Sequence, residues 1–175
     1  MSELRLHLGG MEPKPGWTIV NIQPGPGVDI VADITDLSGI PAASAAEVYA
    51  SHVLEHVHYD RLRDVIAGIR RVMAPGASLM ISVPDLPTLC RLYLDPRLGL
   101  HERFQVMNMM FGGHADAYDI HHVGLEEALL RALLQEAGFR RIRRVDSFGL
   151  FNDQSERRFL DQPISLNLRA QRSAA

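Results

Sequence analysis

Cysteine is nearly missing: Cys90 is the only one among 175 residues. No disulfide can therefore form within the chain, which fits a reducing, cytoplasmic setting. No stretch approaches the roughly 20 uninterrupted apolar residues of a helical membrane span, although 46% of the residues are hydrophobic. The first segment, MSELRLHLGG, has no cationic stretch leading into a long apolar one, so it does not read as a secretory signal. A strong charge of one sign is lacking as well. The formal net charge is −3, too near zero to argue for a polyanionic partner such as nucleic acid. The one basic cluster, FRRIRRVDS, alternates like a strand with a solvated face. These absences leave a single domain over residues 1–175, large enough to bury a core and needing neither membrane nor nucleic acid.

A further absence is local. The apolar run LRLHL ends in Gly9 and Gly10, as a strand does when it delivers its carboxyl end to a ligand. Parallel strands are ordinarily joined by crossovers of a dozen or more residues, usually helical. Here Pro13, Pro15 and Gly16 block a helix, and the next run, WTIVNI, follows almost at once. The segment NIQPGPGVDI cannot make a two-residue hairpin either, so both links read as shortened parallel crossovers.

What is present is strand and helix in alternation. Strand-like runs cover residues 4–9, 18–22, 28–33, 47–52, 78–83, 141–148 and 163–170, most of them β-branched and bounded by Gly, Pro or Asp. In YDRLRDVIAGIRRVM, Leu62, Val65, Ile66, Ile69 and Val72 recur at helical spacing, and Pro75-Gly76 turns the chain into the next strand. GLEEALLRALLQEAGF repeats the scheme, with acids in its first turn and Gly138 as the stop. Residues 91–122 form a lid or insertion whose HERFQVMNMMFGG stretch has helical composition. The pattern predicts an α/β fold, a mostly parallel sheet with helices on both faces. The run PISLNLRA, placed at a sheet edge, could pair with a second copy to give a homodimer.

The segment EVYASHVLEHV, a helix, and then RRVMAPGASLMISVPDL resembles the fourth- and fifth-strand region of class I S-adenosylmethionine-dependent methyltransferases. More narrowly, the chain is similar to their type 11 branch, in a short variant with an abbreviated first crossover. LLQEAGF followed by a strand matches the carboxyl-terminal half of that family, and the likeness covers about residues 4–170. It implies a Rossmann-like, seven-stranded sheet whose last strand is inserted antiparallel, with S-adenosylmethionine over the carboxyl ends of the strands. The general rule for such sheets nominates the same ends.

Carried over residue by residue, Gly9 and Gly10 match the start of the family's glycine-rich turn. Gln23 stands where the family usually has an acid accepting both ribose hydroxyls. Asp33 matches the contact to the adenine amino group, Ile34 the ring packing, and Ser51 the end of the fourth strand. A neutral acceptor and a missing helix N-terminus together weaken cofactor binding by about 1–3 kcal/mol. Such a loss makes a modest site without abolishing it.

Methyl transfer from a sulfonium asks the protein to align the acceptor, exclude water and take up a proton. Candidate catalytic groups are His52, Glu55 and His56, on one face if a helix starts at Val53, together with His121. Further candidate groups follow the fifth strand and the lid: Asp85, His114, Asp116 and His122. His52, Glu55, His56 and His121 also form a possible metal set, since the spacing is similar to the Glu-x-x-Glu-His of metal-using methyltransferases. With histidine in the first position it would favour a softer ion such as zinc. The leading expectation is methyl transfer to a small-molecule or sugar-like acceptor. A non-catalytic methyltransferase-like binding protein and a metal-dependent hydrolase are the alternatives.

Overall fold

The apolar runs form strands where their alternation allows one residue in two to enter a core. The computed structural model describes residues 3–174. Its strands are β1 (Leu4–Leu8), β2 (Thr18–Asn21), β3 (Ile30–Val31), β4 (Ala45–Ser51), β5 (Met73–Pro84), β6 (Phe139–Arg144) and β9 (Ser165–Arg172), with β7 (Arg158–Phe159) and β8 (Gln162–Pro163) as a separate small hairpin. The seven pair in the order β3-β2-β1-β4-β5-β9-β6. β1 to β5 are mutually parallel, and β9 runs antiparallel to both β5 and β6. This is the expected seven-stranded Rossmann-like sheet with one reversed strand. The first two links are indeed parallel crossovers without a helix.

One expectation fails here. The run 163–170 is no edge: β9 lies inside the sheet, paired on both sides. Strand order is set by long-range pairing, which local pattern does not reveal. The edges are β3 and β6, and the exposed Arg140, Arg141 and Arg143 of β6 are the solvated basic cluster. Charged side chains on an edge discourage pairing with another chain.

Leu6, Leu8, Val48, Ala50, Leu79, Ile81, Leu166 and Leu168 point to one face of the sheet. Helices α1 (Leu62–Val72) and α4 (Glu127–Glu136) cover it, α1 with Leu62, Val65, Ile66, Ile69 and Val72. On the alternate positions, Ile19, Tyr49 and Met80 meet Trp17 and Phe151. That second face is covered by loops, residues 9–17 and 146–157, where the pattern predicts helices: the short links after β1 and β2 leave no room for them. The other two helices, α2 (Leu86–Tyr93) and α3 (Leu100–Phe111), pack through Leu89, Leu92 and Val106 against Ile164, beyond the carboxyl ends of the strands. No helix among the described residues is long and apolar enough to cross a membrane.

Candidate active site

Sheet order reverses between β1 and β4, so a cleft opens above their carboxyl ends. A cavity of about 640 Å³ occupies it, running from Gly9 past Gln23 to Asp33 and Ile34, with His52 and His56 on the far wall. A second cavity, of about 460 Å³, lies beyond it over the end of β5 at Pro84. His52, His56 and Asp119 line both cavities.

Of the six residues expected at a cofactor, four line the larger cavity: Gly9, Gln23, Asp33 and Ile34. Gly9 has φ +79°, and a Cβ there would lie 2.9 Å from Val53. Asp33 uses Oδ1 to accept from the Thr35 amide at 2.8 Å, closing a tight turn that aims the carboxylate outward. Gln23 Nε2 donates to Asp116 Oδ2 at 3.1 Å. Gly10 and Ser51 are buried and do not line either cavity. At Gly10 a Cβ would come 2.5 Å from the His7 ring, so the glycine there makes room for a core histidine.

Asn21 went unnoticed in the sequence. It ends β2, lines the larger cavity, and donates through Nδ2 to the carbonyls of Gly9 at 3.1 Å and Gly10 at 2.9 Å. Its Oδ1 accepts from the Gln23 amide at 2.8 Å. One amide side chain thus braces the glycine turn that a helix would otherwise follow. Its only signal was its place at the end of an apolar run.

The expectation that His52, Glu55 and His56 share a helix face is corrected by the structure. Only a single 3-10 turn, Leu54–His56, forms there, and α1 starts at Leu62. His52 leaves β4 with φ +49°, while its amide continues the ladder to the Ser82 carbonyl. That left-handed turn, followed by β-branched Val53, keeps the chain out of a regular helix. The side chains nevertheless converge. Glu55 is 1% exposed, and its Oε1 lies 3.2 Å from His52 Nδ1. Burial pushes the Glu55 carboxyl up, but the hydrogen bond and charge of His52, with His56 nearby, outweigh it and hold the group below the usual carboxylate range.

Hydrogen bonding sorts the histidines. Ser165 Oγ spends its single hydrogen on the Gln154 carbonyl, so at 2.9 Å it accepts from His52 Nε2. With Nδ1 turned to Glu55, neither ring nitrogen of His52 is free for a substrate. His56 and His121 differ. Their Nδ1 atoms face the carbonyls of Ile120 at 3.1 Å and Met110 at 3.3 Å. Carbonyls only accept, so each Nδ1 carries its hydrogen and each Nε2 is left as a free acceptor. The two rings meet edge to face with centroids 4.8 Å apart. Burial holds the His121 pKa below the ordinary imidazole value, with the Glu55 charge opposing and His56 assisting. Glu55, His56 and His121 bring one potential ligand atom each to within 4.8 Å of one another. His52 stands outside that set.

The remaining candidates are placed differently. Asp85 is 3% exposed and accepts from Arg144 Nη2 at 2.8 Å and from Thr88 Oγ1 at 3.0 Å. His114 is exposed and contacts the Phe111 carbonyl. His122 stacks on His58 at 3.9 Å on the outer wall of the larger cavity.

Residues 11–81 match the family model of the methyltransferase domain. A SAM-dependent methyltransferase from Archaeoglobus fulgidus aligns over 97% of this chain and 86% of its own, with TM-score 0.62 and 16% identity. For one from Methanosarcina mazei the shares are 98% and 93%, with TM-score 0.58 and 15% identity. The 1,6-didemethyltoxoflavin-N1-methyltransferase of Burkholderia thailandensis, solved with 1,6-didemethyltoxoflavin and S-adenosylhomocysteine, aligns over 97% and 71%, with TM-score 0.57 and 16% identity. At these identities the structures are alike in fold. No curated protein matches the chain.

Proposed function

We propose that the chain is a class I S-adenosylmethionine-dependent methyltransferase, and that it methylates a small-molecule or sugar-like acceptor held in the second cavity. The observation that carries this reading is the meeting of two cavities at His52 and His56. One suits a nucleoside and the other a hydroxylated molecule. The larger lies within the size range of ligand pockets, and its donor set fits the cofactor. Asp33 can accept from an adenine amino group, Ile34 offers apolar surface for the ring, and Gly9 lets backbone come close. The second cavity presents Gln105, Asn108, Gln154 and Arg157 beside Met109 and Phe159. Amides and a guanidinium pair with hydroxyl and acidic groups on a sugar-like molecule.

When bound, S-adenosylmethionine supplies a methyl group on an already activated sulfonium. The chain's residues do the rest. Side chains of α3 and residues 154–159 orient the acceptor and keep water out. His121, neutral near pH 7 and with Nε2 unengaged, takes up the hydroxyl proton as general base. The buried Glu55 stabilises the resulting imidazolium from close by. His52 acts as a positioning residue that pins Glu55. The test is transfer of labelled methyl from S-adenosylmethionine to a panel of small hydroxylated compounds. His121→Ala should lose transfer by about 10²-fold or more while still binding S-adenosylhomocysteine. Wild-type turnover by that variant would contradict the assignment.

A second reading is favoured by the convergence of Glu55, His56 and His121. Two imidazole nitrogens and one carboxylate oxygen, each histidine fixed through its other nitrogen by a carbonyl, suit a borderline-soft divalent ion such as zinc and leave a position open. Bound there, the ion would polarise the acceptor hydroxyl. Elemental analysis of purified protein decides: about one equivalent of metal, lost in His56→Ala, supports the ion. Full activity of metal-free protein would end this reading.

A further inference from the structure

The larger cavity follows the sheet in a line. Its walls pass from the end of β3 at Asp33, past the end of β2 at Gln23, to the glycine turn after β1. A nucleoside with its base at β3 and its amino-acid arm at β1 must set its ribose against the end of β2. In such folds the ribose diol is received there by a carboxylate, because two hydroxyl donors match two carboxylate oxygens. Neither side chain that β2 sends to this place is an acid. Asn21 is occupied with the glycine carbonyls, and Gln23 is neutral.

A carboxylate is nevertheless present. Asp116 lines the same cavity and accepts from Gln23 Nε2. It comes from residues 112–122, far along the chain, between α3 and α4. That segment is folded by its own contacts. Gly112 at φ +88° leaves space that a Cβ would fill to within 2.4 Å of the Asp119 carbonyl. The His114 amide donates back to that carbonyl at 3.0 Å, and the Tyr118 amide donates to Asp116 Oδ1 at 2.7 Å. The His56 ring ties the segment to the sheet through the Ile120 carbonyl. The Tyr118 amide and Gln23 together hold the Asp116 carboxyl below its usual range, so it is ionised at neutral pH.

Resting on the cofactor reading above, we propose that Asp116 supplies the ribose-binding carboxylate, delivered from the segment over the cavity and positioned by Gln23. The acid that β2 lacks is restored from the other side of the ligand. The same segment also carries Asp119, which lines both cavities, and His121, which lines the second.

The test is calorimetry with S-adenosylhomocysteine and its 2′-deoxy counterpart. Wild type should bind the ribo form about tenfold more tightly than the deoxy form. Asp116→Asn, an exposed substitution that the core does not feel, should weaken the ribo form about tenfold and erase the preference. Adding Gln23→Glu to Asp116→Asn should restore both. An Asp116→Asn protein that binds like wild type, or binds weakly yet keeps the preference, overturns the assignment and leaves the methyltransferase reading standing. Failure of wild type to bind either compound overturns that reading and this one together.

Discussion

The two faces of the sheet are built from different chemistry. One is aliphatic and lies under α1 and α4, whose backbones satisfy their own hydrogen bonds, so Leu, Ile and Val suffice. The other lies under loops, whose amides and carbonyls need partners that a strand must offer. There the sheet presents polar handles. Tyr49 donates to Asp153 Oδ2 at 2.7 Å and contacts Ser155 Oγ at 3.1 Å. Asn167 Nδ2 donates to the carbonyls of Asp146 and Ser155, while the two covering loops are joined by Lys14 Nζ donating to the Leu150 carbonyl. Around them pack Trp17, Phe151 and the ring of His7, 4.1 Å from Phe151. The lesson is that a Rossmann-like sheet can lose helices from one face if its outward positions become hydrogen-bonding aromatics and amides. The covering loop also reaches the second cavity, which Gln154 and Arg157 line.

Substitutions can break this contrast. The largest effect belongs to the aliphatic face. Ile69→Ala empties a fully buried site and should cost roughly 2–5 kcal/mol in denaturant unfolding, with little change in its pH dependence. The loop-covered face should instead reveal itself through acid. Burial lowers the His7 pKa from 6.5 to about 4, with Asp153 partly opposing. The folded state therefore keeps His7 neutral where the unfolded chain takes up a proton. The stability from this group is complete above pH 6.5 and is lost as the pH falls towards about 4. At pH 5 the loss is about 2 kcal/mol relative to neutral pH, and it should disappear in His7→Phe. An equal decline in both proteins would contradict the assignment. The smallest of the three effects is Tyr49→Phe, about 1 kcal/mol, seen as faster amide exchange over residues 146–157 while α1 stays protected.

Much of this was legible in sequence, and the reasons differ by element. All seven strands and the helices α1 and α4 follow from local alternation, because each buries a stripe at its own period. No expectation covered α2, which starts at Leu86 with Pro87 in its first turn, where proline is tolerated. The run 141–148 overshoots β6 because the chain leaves the sheet after Val145 to bring Phe148 and Phe151 over the aromatic face. In the candidate site, Gly9, Gln23, Asp33 and Ile34 were reachable from their places at strand ends. Asp116 was not placed at β2, since its contact with Gln23 spans 93 residues. Nor could spacing say that His52 is tied at both nitrogens while His56 and His121 each keep one free, because that sorting depends on carbonyls and a serine brought in by the fold.

The central claim, that the cleft above β1 and β4 receives a sulfonium nucleoside, meets its most direct test in titration calorimetry of the wild-type protein with S-adenosylhomocysteine. The account predicts saturable binding at one site per chain, weakened by Asp33→Ala. No heat at millimolar ligand, or binding indifferent to Asp33→Ala and Asp116→Asn alike, would contradict it.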